Sequence, residues 1–377
     1  MEYARAKLLN ALRRGTRLAA SAAGVRFLSK AQTVDYLRPQ VLRQYPGQQL
    51  ALPAVPDAVA SSQLLHEART IVTEPQYTWQ LAAAAGAALL RNGGVRVGRT
   101  ILCPDYAIHE LGRHCWRPAP PRAATADILL APFSHYQHPL QIWGYYDYLL
   151  LVGAKLCRLL AALPATAAAQ ALVSYPLFHT TYEQELAAAL GLGPAQLVDS
   201  RTHRVGFSTC VLGNGAGGYY PSATDVHLLH DRLAPLINPN ASSAPRLYIS
   251  RRGRRRISNE DALVRMLLTY GFTVVEDRPR SLAEQLTLYH GASFILGPHG
   301  ASFTNIIWCR PGTQLFEIFS PGYAPDYFHY LAQLRGVRYA GCRQALAPGR
   351  YSHPLDENIV VSVDAIERAL GPLLCTT

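Results

Sequence analysis

The sequence predicts an α/β protein with mainly parallel sheets, and three observations carry that prediction. Short β-branched and aromatic runs alternate along most of the chain with longer amphipathic runs, the order that places helices between strands of one sheet. Apolar residues make up 49% of the chain and charged ones only 16%, which suits large buried sheets and not disorder. At 377 residues the chain is longer than one hydrophobic core organises, so two domains are expected.

Residues 1–40 form a basic amino-terminal segment. The run MEYARAKLLNALRRGTRLAAS alternates Arg and Lys with Leu and Ala, which suits an anionic membrane surface and equally a solvated helix or a frayed terminus, and it lacks the uninterrupted apolar core of a secretory signal. Residues 41–218 read as the first domain. The apolar patterns predict a helix over 79–91, strands at 100–103 and 127–131, a long helix over 145–163 and a strand at 172–175. A helix over 182–190 and strands at 196–199 and 205–212 complete it.

The Gly-rich GNGAGGYYPS at 213–222 reads as a crossing into a second domain, 219–350. There a strand at 246–250 precedes a helix over 259–270 capped by Ser258, and a strand at 272–276 follows. The capping box Ser281 to Glu284 opens a helix to residue 290. A strand at 294–297, a Gly turn, a helix to 309 and a strand at 314–319 continue a Rossmann-like winding. Helical patterns recur at 327–334 and 363–370, and the last segment, 351–377, is expected to cross back to the first domain.

Several function classes drop out on composition. The seven cysteines are scattered and never spaced C-x-x-C, which indicates neither a zinc ribbon nor a disulfide framework and fits a reducing compartment. The richest apolar stretch, 145–173, carries Asp147, Lys155 and Arg158 and so reads as a buried helix, not a membrane span. A net charge of +11 favours anionic partners without choosing among phosphates, nucleic acid and acidic membranes.

The most informative segment is 294–319, FILGPHGASFTNIIWCRPGTQLFEIF. An apolar strand followed by a Gly turn and a helix start lets a phosphate approach open N–H groups, so Gly300, Ala301 and Ser302 are candidates for a phosphate cradle. Glu317 ends the next strand, where a carboxylate can accept from ribose hydroxyls. Arg251 follows the strand at 246–250 and is suited to bidentate phosphate contact.

Together with YISRRGRRRISNE (248–260), LAEQ (282–285) and YFHYLA (327–332), this segment resembles glycosyltransferase family 61 over about residues 246–339. The resemblance implies a GT-B architecture, two Rossmann-like domains facing across a cleft. It implies an inverting, metal-independent transfer from a nucleotide sugar, uridine-based by analogy, to a saccharide or glycolipid in surface polysaccharide synthesis. The expected place is the cytoplasm or the inner face of a membrane, with no cofactor beyond the donor as co-substrate and no nucleic acid partner. No D-x-D triplet is present. By the same resemblance Arg256, His299 and Asn305 join the donor candidates. Asp147 stands where the family shows a His at the head of a long helix, and Lys155 where it shows an Arg. Asp147 is thus the first candidate for the base, with Asp105, His109 and His135 as rivals, and a homologue that binds donor without transferring it stays open. Helix capping explains Asp147 equally well.

Two rival readings rest on weaker signals. Gly213, Gly215 and Gly218 spell G-x-G-x-x-G, but Pro221 interrupts the helix a dinucleotide site needs. The run Arg251 to Arg256 could serve nucleic acid, yet a phosphate site at that strand end explains the same charges. The pairs His135 with His138 and His109 with His114 lack a third metal ligand and read as loop histidines.

Overall fold

A computed structural model describes residues 2–105, 118–132, 144–241 and 245–375. The chain divides into two compact units, Met1–Gln48 with Thr73–Arg232 and Gln49–Val72 with Leu233–Thr377. The division differs from the boundary expected near 218. Helix Ala223–Leu233 stays with the first unit because Asp225 pairs with the buried Arg158. Residues 49–72 join the second unit through long-range bonds such as Ala58 N–H to the Gly341 carbonyl and Arg343 N–H to Asp57.

The first unit is built on a six-stranded sheet of β1 (Val41–Tyr45), β2 (Gln76–Ala82), β3 (Arg122–Ala131), β4 (Leu172–Tyr175), β5 (Leu197–Asp199) and β6 (His203–Gly213). Its order is β5-β4-β3-β6-β2-β1, with the first four strands parallel and β2 and β1 antiparallel at one edge. The core under it gathers Trp79, Leu81, Leu129, Cys210 and Leu212. The expected helix over 79–91 is instead β2 followed by a single turn of 3₁₀ helix at Ala83–Ala85 and the short strand Ala87–Leu89. Pairing of Trp79 with Leu212 buries the indole fully, and that burial overrides the helix propensity of the alanines. The long helix does form, but its middle, Tyr148–Gly153, is π-helical.

The second unit carries a wholly parallel five-stranded sheet of β7 (Arg246–Ile249), β8 (Thr273–Val275), β9 (Phe294–Pro298), β10 (Gln314–Phe319) and β11 (Arg338–Arg343). The order β8-β7-β9-β10-β11 reverses direction between β7 and β9. That reversal is a topological switch point, and in such sheets ligands bind beyond the carboxyl ends of the two strands that flank it. The capping box at Ser281 and Glu284 forms as expected. Ser258 does not cap the helix Glu260–Thr269; Asn259 occupies the cap position, and its amide exchanges two hydrogen bonds with the backbone of Val361 instead. The last helix, Val363–Leu374, does not cross back. Ile366 and Leu370 pack with Leu263, Leu267 and Phe272 in the second unit's own core, and Tyr270 donates to Glu367 at 2.8 Å.

Candidate functional site

In the second unit the switch point brings together the residues that follow β7 and β9. After β9 the chain turns through His299 and Gly300 into a 3₁₀ helix, Ala301–Trp308. No acceptor among the described residues takes the N–H groups of Gly300, Ala301 or Ser302, as expected at a helix start. Ala301 and Ser302 are half-exposed there. Arg251, two residues past β7, lies across this turn: its Nη1 donates to the His299 carbonyl at 3.3 Å and its Nε to the Arg254 carbonyl at 2.6 Å. A Cβ at Gly300 would stand 2.1 Å from Nη1, so only glycine lets the guanidinium lie so close to the cradle. Burial and the neighbouring Arg255 lower the Arg251 pKa to about 10. It stays a cation at neutral pH.

Arg255 is the residue that the sequence reading passed over. It adopts a left-handed backbone, φ 61°, and is only 8% exposed. Its guanidinium sits 5.4 Å from the centre of the Tyr323 ring, its Nε has no hydrogen-bond partner, and burial lowers its pKa. A non-glycine residue in that conformation is uncommon, and a buried guanidinium without a carboxylate is costly. Arg256 is exposed, and with Arg251 and Arg252 it lines an open hollow of about 740 Å³ beside the helix Glu260–Thr269. A run of adjacent arginines carries no sign of which one turns inward; the left-handed residue decides it.

Glu317 was expected to face a ribose. It is fully buried, with Oε1 2.5 Å from His299 Nδ1 and Oε2 accepting from the Tyr339 hydroxyl at 2.8 Å. Tyr339 in turn meets His66 Nε2 at 3.2 Å. Burial pushes Glu317 up and His299 down. Both residues therefore support the turn from below and do not face the crevice. Asn305 is likewise buried and donates to Gln285 at 3.1 Å, a packing role.

In the first unit the corresponding reversal lies between β3 and β6. Asp105, expected as a rival base, is sealed there: its carboxylate pairs with Lys155 and accepts from the Gly215 N–H, and both charged side chains are at most 2% exposed. Arg158, fully buried, bonds Asp225, the Tyr77 carbonyl and the Asn214 carbonyl, so the Gly-rich stretch is packed within the first unit and is not the crossing between units that the sequence suggests. Gly213 is needed because a Cβ there would lie 2.8 Å from the Tyr77 carbonyl. No helix follows until Ala223, which removes the dinucleotide reading.

Asp147 is half-buried in the first turn of the long helix, just before its π-helical segment. Tyr145 and Tyr182 meet edge to face at 5.3 Å nearby. His109 and His135 lie outside the described residues. One further group was not singled out from sequence. His179, beyond β4, has the left-handed φ of 57°, and its Nε2 stands 3.2 Å from Asp199 Oδ2 at the end of β5. The buried Glu183 fixes that backbone by accepting from the N–H groups of Phe178 and His179. Burial opposes ionisation of Asp199, but the Arg201 guanidinium outweighs it and lowers the pKa. The imidazole itself is 66% exposed.

Comparison with known proteins bears on the middle of the chain. The chain is 31% identical over 119 residues to a xylan glycosyltransferase of Arabidopsis thaliana, covering 30% of this chain and 24% of that protein. It is 31% identical over 140 residues to an EGF domain-specific O-linked N-acetylglucosamine transferase of Xenopus laevis, covering 35% of this chain and 26% of that protein. A 59-residue stretch is 36% identical to a β-1,2-xylosyltransferase of Arabidopsis thaliana, covering 16% of this chain and 11% of that protein. The chain thus spans about a quarter or less of the length of these relatives. Residues 153–316, from the long helix through β10, match the family model glycosyltransferase 61.

Proposed function

We propose that this protein is a glycosyltransferase that moves a sugar from a nucleotide sugar, uridine-based, to a hydroxyl of a saccharide or glycolipid. The observation that carries the reading is the crevice at the β7/β9 switch point, where Arg251 lies across Gly300 beside open N–H groups. Cationic side chains and unsatisfied donors at such a point match a leaving diphosphate. The names of the relatives, each a sugar transferase, support the reaction class. The proposal includes the GT-B arrangement, donor on the second unit and acceptor on the first.

In this reading Asp147 takes the proton of the acceptor hydroxyl. The oxygen attacks the anomeric carbon from the face opposite the diphosphate, inverting it. The bond to the diphosphate breaks with its electron pair on the phosphate oxygen, and Arg251, Arg255 and the cradle N–H groups offset that charge. Those cations stand in for a divalent metal, so transfer is expected to continue in chelator.

A second reading of the base rests on His179, which Asp199 orients and the backbone holds in a strained conformation. Asp147→Asn should abolish transfer and leave diphosphate affinity within about twofold, while His179→Gln keeps most activity. The opposite pattern assigns the proton to His179. Full transfer by both variants would remove the base from this edge altogether.

A further inference from the structure

Arg91, Arg96, Arg99 and Arg204 line a cavity of about 610 Å³ in the first unit. One wall is a small sheet of Arg26–Phe27, Ala87–Leu89, Val95–Val97 and Thr100–Ile101, and the other is the 204–207 stretch of β6. Strand β6 runs parallel to β3 from the pair Arg122 and His203 to the pair Ala131 and Leu212. Residues 204–207 thus lie towards its amino end, away from the carboxyl edge that carries Asp105 and the Gly-rich stretch. The cavity is separate from every group assigned above, and its volume is that of a small-molecule site.

Its lining divides into two parts. Ala88 and Phe207 are among its apolar lining residues, and among the described residues no Asp or Glu lines the cavity. None of the four guanidinium groups forms an ion pair among the described residues. Arg91 Nε is buried without a partner. Arg96 donates to the Gly98 carbonyl at 2.5 Å and Arg99 to the Ala23 carbonyl at 2.7 Å. A guanidinium has five N–H donors, so these single bonds leave most of each group available. Apolar side chains beside cationic groups without ion pairs are complementary to a molecule with an anionic head and a hydrocarbon body.

The adjoining element points to where such a molecule comes from. Arg99 holds the carbonyl of Ala23, immediately past the amino-terminal helix Glu2–Ala22. That helix carries Arg14 and Arg17, and Leu12 and Leu18 are 57% and 67% exposed. Basic and bare apolar side chains on one helix are the composition of an interfacial helix. We infer that the cavity holds the phosphate head and first carbons of an anionic lipid, with the helix Glu2–Ala22 lying on the surface that supplies it. The inference does not depend on the transferase reading.

Calorimetric titration of the full chain with decyl phosphate, decanol and inorganic phosphate separates the sources, and flotation with vesicles of phosphatidylcholine, with or without phosphatidic acid, adds the membrane. Decyl phosphate should bind saturably and at least about tenfold tighter than either decanol or inorganic phosphate. The double change Arg91→Ala with Arg99→Ala should weaken it about tenfold or more, and so should Ala88→Trp, which fills the cavity with every arginine kept. Uridine diphosphate binding should be unchanged by Ala88→Trp. Equal affinity for decyl phosphate and inorganic phosphate would make this a site for the free anion and overturn the lipid. Vesicle binding that survives Ala88→Trp but vanishes when Arg14 and Arg17 are neutralised would assign the membrane contact to the helix alone and overturn the cavity's role. Silence towards decyl phosphate would overturn it outright.

Discussion

Lys155 and Arg158 in the first unit are each buried against a carboxylate, Asp105 and Asp225, whereas Arg251 and Arg255 in the second have none within ion-pair distance among the described residues. All four sit near the carboxyl end of a parallel sheet. Arg158 also donates to the Tyr77 and Asn214 carbonyls, and Asp105 accepts from the Gly215 N–H, so the two pairs fix the loop after β6. Of the other two, Arg251 lies across the Gly300 turn with its open N–H groups, and Arg255 stands over the Tyr323 ring. Removing a cation from water without a partner costs free energy, and a fold keeps that arrangement where a ligand supplies the missing anion. Under the proposed function, the difference separates charges that build the molecule from charges that serve it.

The sharpest break of this comparison is a pair of truncations. Arg158→Ala should lose roughly 3–5 kcal/mol of stability in denaturant titration, because Asp225 is left buried and unpaired. Arg251→Ala should cost less than about 1 kcal/mol of stability, yet weaken nucleoside diphosphate binding by about tenfold to a hundredfold. A large stability loss at Arg251 would erase the distinction.

Gly300→Ala tests the same point from the other side. The methyl group displaces the guanidinium without removing it, so binding should fall about tenfold in calorimetry with Arg251 still present. Arg255 and Arg256 then sharpen the account within one loop. Arg255→Ala should impair diphosphate affinity several-fold and Arg256→Ala about twofold or less, since only the former is buried.

The effect of pH on the second unit tests its buried histidine separately. Burial lowers His66 to about 4, so the unfolded chain binds the extra proton first and stability falls as pH drops from about 6.5 towards 4. The loss is at most about 3 kcal/mol in thermal or denaturant unfolding, and His66→Phe should flatten it.

The second unit was the more legible in sequence. Each of its first four strands is a short apolar run bounded by turn residues, and the box at Ser281 and Glu284 is a local signal that needs no tertiary help. Local signals failed where distant partners decide. The alanine-rich stretch after Trp79 favours a helix on propensity alone, and only pairing with β6, far along the chain, makes a strand of its start. Residues 49–72 look continuous with their neighbours in sequence, and nothing local announces that they pack beside β11. The Gly300 turn and Arg251 were readable because a strand end followed by glycine is itself the chemistry of a phosphate site. The inward turn of Arg255, the sealing of Glu317 by His299 and Tyr339, and the hold of Asp199 on His179 were not, because backbone sign and side-chain partners leave no trace in spacing.

The central claim is that the β7/β9 crevice binds a nucleoside diphosphate through Arg251. Calorimetric titration of the intact chain and of Arg251→Ala with uridine, guanosine and adenosine diphosphates, NAD(P) and a short DNA duplex, all in chelator, tests it most directly. Saturable binding of one diphosphate, weakened at least about tenfold in the variant, is the expected result. Silence towards every diphosphate, with salt-sensitive binding of the duplex instead, would contradict it and return the arginine run to nucleic acid.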